Sequence, residues 1–301
     1  MMPAGGPHGG DGHRLAAALG LDPAAVLDLS VSLNPLAPDV VALARPCLAA
    51  LRRYPDPAIA TEQLAEALGV EPERVVLTNG GAEAIALVAA EVGEGRVDEP
   101  EFSLYRRHLE RVTPTAPRWR SNPHNPSGRL AATDEAAAVW DEAFYPLATG
   151  CWTRGDSGAI VLGSLTKVFA CPGLRLGYVL TPDDELAERL RRRQPTWSVG
   201  SLALAVLPRL LDHADLAAWA RGIAALRTEL VELLGSFGLP PAPSDANWVL
   251  VPSAPGLRER LGPEGVVVRD TASFGLPGGA RIAVPSAHGL ERLARALAAT
   301  S

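Results

Sequence analysis

Short apolar runs alternate with helical stretches between residues 74 and 180, which predicts an α/β protein with a mainly parallel sheet covered by helices on both faces. Two further changes of texture refine the expectation. Long helical runs follow residue 180, and strand-like alternation returns from residue 247, so a separate, smaller α+β unit is expected at the C-terminal end. With 301 residues, 47% of them hydrophobic, the chain can bury one large core or two moderate ones.

In chain order, residues 1–12 form a glycine-rich arm that reads as flexible, with His8 inside Pro-His-Gly-Gly. Residues 13–19 read as a short helix ended by Gly20, and 26–33 as a strand closed by the Asn34-Pro35 turn. A helix is expected over 40–51, a rigid loop over 53–57, and an amphipathic helix over 61–68 that Gly69 stops. Residues 74–77 form a short buried strand, and Thr78-Asn79-Gly80-Gly81-Ala82-Glu83 carries the chain from it into a helical run at 84–92. A glycine turn at a helix N-terminus offers free N–H groups and the positive end of the dipole, which suits a phosphate, although such turns are also common structural connections.

A clipped strand at 96–98, a helix over 102–112, a strand at 118–121 and a modest helix over 134–139 follow. The strand 159–163 then delivers the loop that carries Lys167. Helical runs at 184–193, 201–211 and 213–237 lead to strands at 247–251, 266–269 and 280–284, with helices at 256–261 and 289–299.

Composition excludes several function classes. The net charge is −6 and the only basic run is Arg191 to Arg193, a solvated helix face, so nucleic acid is not an expected partner. Cys47, Cys151 and Cys171 lack metal-ligand spacing and are odd in number, which fits a reducing cytoplasm and predicts no metal site. No apolar run approaches a membrane span, and the first residues lack a charged segment followed by an apolar one; a cytoplasmic protein without membrane contact is expected.

Lys167 stands apart because it is the only lysine among the 28 basic residues of the chain. Arg serves wherever a permanent cation is wanted, but a guanidinium does not lose its proton near neutral pH, whereas an amine can be desolvated, deprotonated and condensed with a carbonyl. Schiff-base chemistry at Lys167 is therefore weighed against a surface lysine that merely survived.

The neighbouring motifs resemble those of the fold-type I pyridoxal-phosphate enzymes, the aminotransferase class I/II family. Asn-Gly-Gly-Ala-Glu at 79–83, Asn-Pro-His-Asn-Pro-Ser-Gly at 122–128, Asp-Glu-Ala-Phe at 141–144 and Ser-Leu-Thr-Lys at 164–167, followed by Arg175, stand in the family order across nearly the whole chain. The resemblance implies a large domain (41–211) with a mostly parallel seven-stranded sheet, a small domain (212–301), and an N-terminal arm (1–40) that joins the small one. It implies pyridoxal 5′-phosphate as cofactor, bound covalently by Lys167. Asp141 pairs with the pyridine nitrogen and so preserves the ring as an electron sink. Asn125 bonds the ring 3-oxygen and Phe102 stacks on the ring. The phosphate falls to the N–H groups of Gly81 and Ala82, the hydroxyls of Ser164 and Thr166, and the Arg175 guanidinium, which can donate bidentately. Tyr54 matches a tyrosine that reaches the phosphate of a neighbouring subunit, implying a homodimer with shared active sites. Arg281 matches the arginine that clamps a substrate carboxylate.

Within the family, His8-Gly-Gly, the run 27–36, the run 268–274 and Phe144 are most similar to the branch holding threonine-phosphate decarboxylase, a cobalamin-pathway activity, and histidinol-phosphate aminotransferase. That branch implies a phosphorylated amino-acid substrate whose phosphate meets His8, Asn34 and Arg269. Decarboxylation of L-threonine O-3-phosphate is the first expectation. An aminotransferase acting on histidinol phosphate or another amino acid, or a cofactor-binding chain without turnover, are the alternatives. The segments 92–122 and 128–141 are shorter than in the family pattern.

Overall fold

The computed structural model describes residues 8–155 and 158–300. Part of the arm expected to be flexible, residues 1–7, lies outside the described residues. Helix α1 (Gly12–Leu19) ends on left-handed Gly20 as expected. The expected strand at 26–33 is reduced to β1 (Leu27–Asp28). Helix α2 (Val40–Ala44), capped by the Asp39 carboxylate, passes into 3₁₀ turns over Arg45–Arg52, because Pro46 has no N–H to continue the helix. Helix α3 (Ala58–Leu68) stops at Gly69, and β2 (Val75–Asn79) leads directly into α4 (Gly80–Val92).

The next stretch departs from expectation. Between β3 (Glu94–Val97) and β5 (Arg118–Ser121) the helix expected over 102–112 is a single turn, α5 (Leu104–His108), followed by the short strand β4 (Arg111–Val112). The helix expected over 134–139 does not form; its end becomes β6 (Val139–Asp141). Val139 and Trp140 are buried in the sheet, and tertiary burial overrides the weak local preference there. Helix α6 (Tyr145–Thr149), β7 (Ile160–Gly163), the one-turn helix α7 (Leu165–Val168) and β8 (Leu176–Leu180) complete this part.

Helices α8 (Asp184–Arg193), α9 (Ser201–Asp212) and α10 (Leu216–Ser236) follow, then β9 (Trp248–Val251), α11 (Leu257–Leu261), β10 (Val266–Val267), β11 (Arg269–Asp270), β12 (Ala280–Ala283) and α12 (Ala287–Ala299).

Strands β2-β8-β7-β6-β5-β3-β4 form a seven-stranded sheet in which only β8 runs antiparallel to its neighbours, the mostly parallel sheet the motifs implied. Strands β7 and β8 are wholly buried, as expected for a sheet covered on both faces. A three-stranded antiparallel sheet, β11-β12-β9, and the parallel pair β1-β10 lie apart from it. Helix α10 serves two cores: Leu216, Trp219 and Ile223 pack with α3, α9 and the large sheet, while Leu230 and Leu234 pack with the smaller sheet and α12. The buried carboxylate of Asp11 pairs with Arg258 of α11, fastening the start of the described chain to the C-terminal unit.

Candidate active site

In a parallel sheet the strand ends present loops on one side, and clefts form there. Strands β5, β6 and β7 end in Ser121, Asp141 and Gly163, and Ser121 lies opposite Asp141 in the register. A cavity of about 320 Å³ opens at these ends. Its lining gathers Gly81, Ala82, Phe102, Asn125, Asp141, Ser164, Thr166, Lys167, Arg175 and Arg281, together with His8 and Arg269. Residues expected from scattered motifs thus meet in one place. Tyr54 and Asn34 do not line it. The Tyr54 ring is exposed and lies 4.4 Å from that of Trp197. Asn34 is buried behind the lysine loop: its Nδ2 donates to the Val168 carbonyl, its Oδ1 accepts from Leu36 N–H, and its backbone N–H donates to the Lys167 carbonyl. Those bonds occupy the Asn34 amide with backbone partners, so within this chain it braces the loop rather than facing the cavity.

Lys167 sits in α7, one turn after β7 hands the chain over at Ser164. Its Nζ lies 5.7 Å from the centre of the Phe144 ring. Burial, and then the positive charges of Arg281, Arg175 and Arg269, bring the amine down to about 8, with Asp141 acting in the opposite sense. Asp141 is itself pushed up, chiefly by burial. Two donors hold its carboxylate: the Tyr105 hydroxyl at 2.7 Å on Oδ2 and the Ala143 N–H at 3.0 Å on Oδ1. Tyr105 was not singled out from sequence. Its spacing of three from Phe102, which would put both on one face of the helix expected over 102–112, is the signal the sequence offers.

Asn125 is oriented from two sides. Its N–H donates to Ser121 Oγ at 2.8 Å, and its Oδ1 accepts from Arg281 Nη1 at 2.7 Å. With Oδ1 occupied, Nδ2 is the donor it can present to a ligand oxygen. Arg281 lies 5.0 Å from the Trp248 ring centre, and Arg269 lies 4.2 Å from that of Phe274. The two arginines are register partners on neighbouring antiparallel strands, so both side chains project to one face of the small sheet. A guanidinium stays protonated even when burial disfavours its charge, and together they make this end of the cavity cationic. His8, set edge-on to Phe102 at 5.7 Å, is held below the usual imidazole value by burial and by Arg269 and Arg107.

The start of α4 suits a phosphate. The first-turn N–H groups of α4, which an α-helix leaves without internal acceptors, face the cavity at Gly81 and Ala82 beside Ser164. Gly80 is left-handed at φ 76°, and a Cβ there would run into the Arg175 guanidinium, so glycine lets Arg175 close over the helix start. Thr166 also lines the cavity, but its hydroxyl donates to the Leu176 carbonyl at 3.1 Å, leaving only its lone pairs for a ligand. An anion cradle, an amine brought down to about 8, a buried carboxylate and an amide donor are the set that pyridoxal phosphate requires, and the residues present fit it. Among the described residues no cluster of His, Cys, Asp or Glu could hold a metal, and no helix is long and apolar enough to cross a membrane.

Comparison with known proteins places these features in context. Residues 119–299 match the family model for aminotransferase class I and II. A histidinol-phosphate aminotransferase of Pseudomonas fluorescens is 30% identical, the match covering 95% of this chain and 92% of the relative. The threonine-phosphate decarboxylase of Salmonella typhimurium is also 30% identical, over 96% of this chain and 95% of the relative. Among solved structures, the histidinol-phosphate aminotransferase of Sinorhizobium meliloti in complex with pyridoxal-5′-phosphate superposes with a TM-score of 0.82 at 18% identity, covering 99% of this chain and 95% of that one, a likeness of fold.

Proposed function

The chain belongs to the aminotransferase class I and II family, in its histidinol-phosphate aminotransferase and threonine-phosphate decarboxylase branch, and we propose that it is a pyridoxal-phosphate-dependent aminotransferase acting on a phosphate-bearing amine of the histidinol-phosphate kind. The observation that carries this reading is the placement of two guanidinium groups, Arg269 and Arg281, side by side in the cavity lining that also holds Lys167, suited to an anionic substrate presented to a basic amine. Histidinol-phosphate aminotransferases also predominate among the similar proteins, which moves transamination ahead of the decarboxylation favoured by motifs alone.

In this reading the N–H groups of Gly81 and Ala82, the Ser164 hydroxyl and Arg175 hold the cofactor phosphate, with Thr166 beside them. Asp141, braced by Tyr105, takes the pyridine nitrogen, Asn125 Nδ2 donates to the ring oxygen, and Phe102 covers the ring. When bound, the cofactor supplies an aldehyde that condenses with amines and a ring that accepts electrons. Lys167 anchors it and afterwards carries a proton at the substrate α-carbon, a task for which an amine near 8 is suited as both base and acid. Arg281 and Arg269, with His8 at the rim, hold the substrate's acidic groups and fix which bond faces the ring. Asn34 enters as a brace of the Lys167 loop rather than as a phosphate ligand.

The same reading includes a homodimer. Val41, Leu48, Leu51, Tyr54, Ile59 and Trp197 are exposed apolar or aromatic side chains, suited to cover by a second copy that would bring Tyr54 to its neighbour's cofactor phosphate. Light scattering reads the mass, and mixing Tyr54→Ala with Lys167→Ala chains should restore activity in heterodimers if sites are shared. It also includes the division into arm (1–40), large unit (41–211) and small unit (212–301), which limited proteolysis tests.

Phe144 favours a second reading. It stands against Lys167 without a hydroxyl, and with the Salmonella relative this keeps decarboxylation of threonine phosphate as the rival. Mass spectrometry of products decides between the two. Turnover of histidinol phosphate that depends on 2-oxoglutarate supports the aminotransferase; carbon dioxide release from threonine phosphate without a keto acid overturns it in favour of the decarboxylase. Turnover of neither by the cofactor-loaded chain overturns both.

A further inference from the structure

Glu101 is a buried carboxylate outside the cavity lining, 3% exposed, and no role falls to it in the reading above. Three donors converge on it. Its Oε1 accepts from the Ser121 N–H at 3.0 Å, and its Oε2 accepts from the Ser121 hydroxyl at 2.6 Å and from the Phe102 N–H at 3.2 Å. Because the Ser121 proton goes to Glu101, a lone pair of Ser121 Oγ is turned toward the Asn125 N–H, and Asn125 in turn receives Arg281. Ser121 also interacts with the Tyr105 hydroxyl, which donates to Asp141. One serine hydroxyl therefore stands between Glu101 and both polar ends of the ring site.

We propose that Glu101 is a positioning residue whose ionised carboxylate, acting through Ser121, sets the orientation of Asn125 and Tyr105 and hence of Arg281 and Asp141. The proposal rests on the functional reading above for what those four residues hold. A proton on Glu101 reverses the bond: Glu101 donates to Ser121 Oγ, so the Asn125 N–H shares that oxygen with a second donor, and the serine hydrogen must turn toward the Tyr105 oxygen, which accepts it while donating to Asp141. Burial raises Glu101 to about 7, opposed by its bonds to Ser121 and by Arg120, so the reversal falls in the neutral range.

The charged groups around it are few. Arg120 Nη1 lies 3.8 Å from Oε1 while its Nε donates to Glu135, Glu99 accepts the Glu101 N–H and pairs with Arg106, and His124 meets the Pro100 carbonyl at 2.7 Å. His124 is held below the usual imidazole value, chiefly by burial. Tyr105 and Asp141 complete the set, both pushed up chiefly by burial.

Two measurements on wild type and Glu101→Gln test it. In the cofactor-free chain at one fixed pH above Glu101's value of about 7, amide exchange across residues 121–125 should be faster in Glu101→Gln, because the ordered Ser121–Asn125 bond is loosened. In the cofactor-loaded chain, the affinity for 2-phosphoglycolate, an anion without an amine, should weaken about tenfold as pH falls through the neutral range in wild type, and that component should vanish in Glu101→Gln. Ser121→Ala, which breaks the relay while keeping the carboxylate, should remove the same component and guards against a folding defect in the first variant. A Glu101→Gln chain with wild-type exchange and an unchanged pH midpoint overturns the proposal, whatever its melting temperature. Failure of the wild type to take up pyridoxal phosphate refutes the functional reading instead, and the exchange comparison still decides the role of Glu101.

Discussion

Arg281 Nη1 donates to Asn125 Oδ1 at 2.7 Å, joining strand β12 of the small sheet to the loop after β5 of the large one across 156 positions of sequence. The bond fixes both partners at once: the guanidinium is aimed and the asparagine amide is left with its N–H₂ outward. Replacing Arg281 by Lys shortens the reach and abolishes the planar fork. Binding of anionic substrate should weaken by about 3 kcal/mol, roughly a hundredfold in KM, while cofactor affinity changes far less. Steady-state kinetics with a parallel cofactor titration measure the two effects.

Lys167 should leave a mark on stability. Below pH 8 the amine is charged in both folded and unfolded chains, and the folded state bears the cost of burying that charge. Between about 8 and the ordinary value of 10.5 the folded amine loses its proton while the unfolded one keeps it, so stability of the cofactor-free chain rises with pH across that window. Lys167→Met should accordingly raise the unfolding free energy at pH 7 by on the order of 3 kcal/mol, flatten this rise, and abolish the visible absorbance of the cofactor adduct. Urea titrations at several pH values and a cofactor spectrum check it.

Gly80→Ala places a Cβ at φ 76° and against the Arg175 guanidinium. The backbone cost is about 1 kcal/mol or more, and the displaced arginine should weaken affinity for pyridoxal phosphate in addition. A fluorescence titration of the cofactor-free variant reads the second effect, and Gly81→Ala, whose Cβ would meet Ser164 at ordinary contact distance, should show a smaller loss.

The pair Asp11–Arg258 is buried on both sides. Removing Arg258 takes its guanidinium from the buried Asp11 carboxylate, so Arg258→Met alone should cost about 3 kcal/mol, whereas Asp11→Leu with Arg258→Met should recover part of it. Denaturant melts of the two single variants and the double one give the coupling.

Much of this site was legible in sequence because its chemistry is local. The backbone N–H groups of the anion cradle lie in one strand–turn–helix, and a lone lysine in a chain that otherwise uses arginine announces a group that must lose its proton. Fold class followed for the same reason, since the period of apolar residues reports burial directly. What stayed illegible depends on contacts far along the chain. Residues 134–139 carry helix-forming alanines, yet the sheet claims Val139 and Trp140. Asn34 belongs to a motif whose expected role is anion binding, yet its amide is taken by the backbone of the lysine loop. Tyr105, Ser121 and Glu101 act only through partners that the fold brings to them, and no spacing of theirs alone reveals it.

The two-residue strand β1 pairs with β10, so Leu27 and Asp28 find their partners at Val266 and Val267, 239 positions later. Synthesis from the N-terminus therefore completes the cradle, Asp141 and Lys167 well before the segment that seats the arm and the two arginines exists. During translation the part of the cavity lined by the start of α4, Asp141 and Lys167 can take shape first, and the part lined by Arg269 and Arg281 closes only as the last strands emerge.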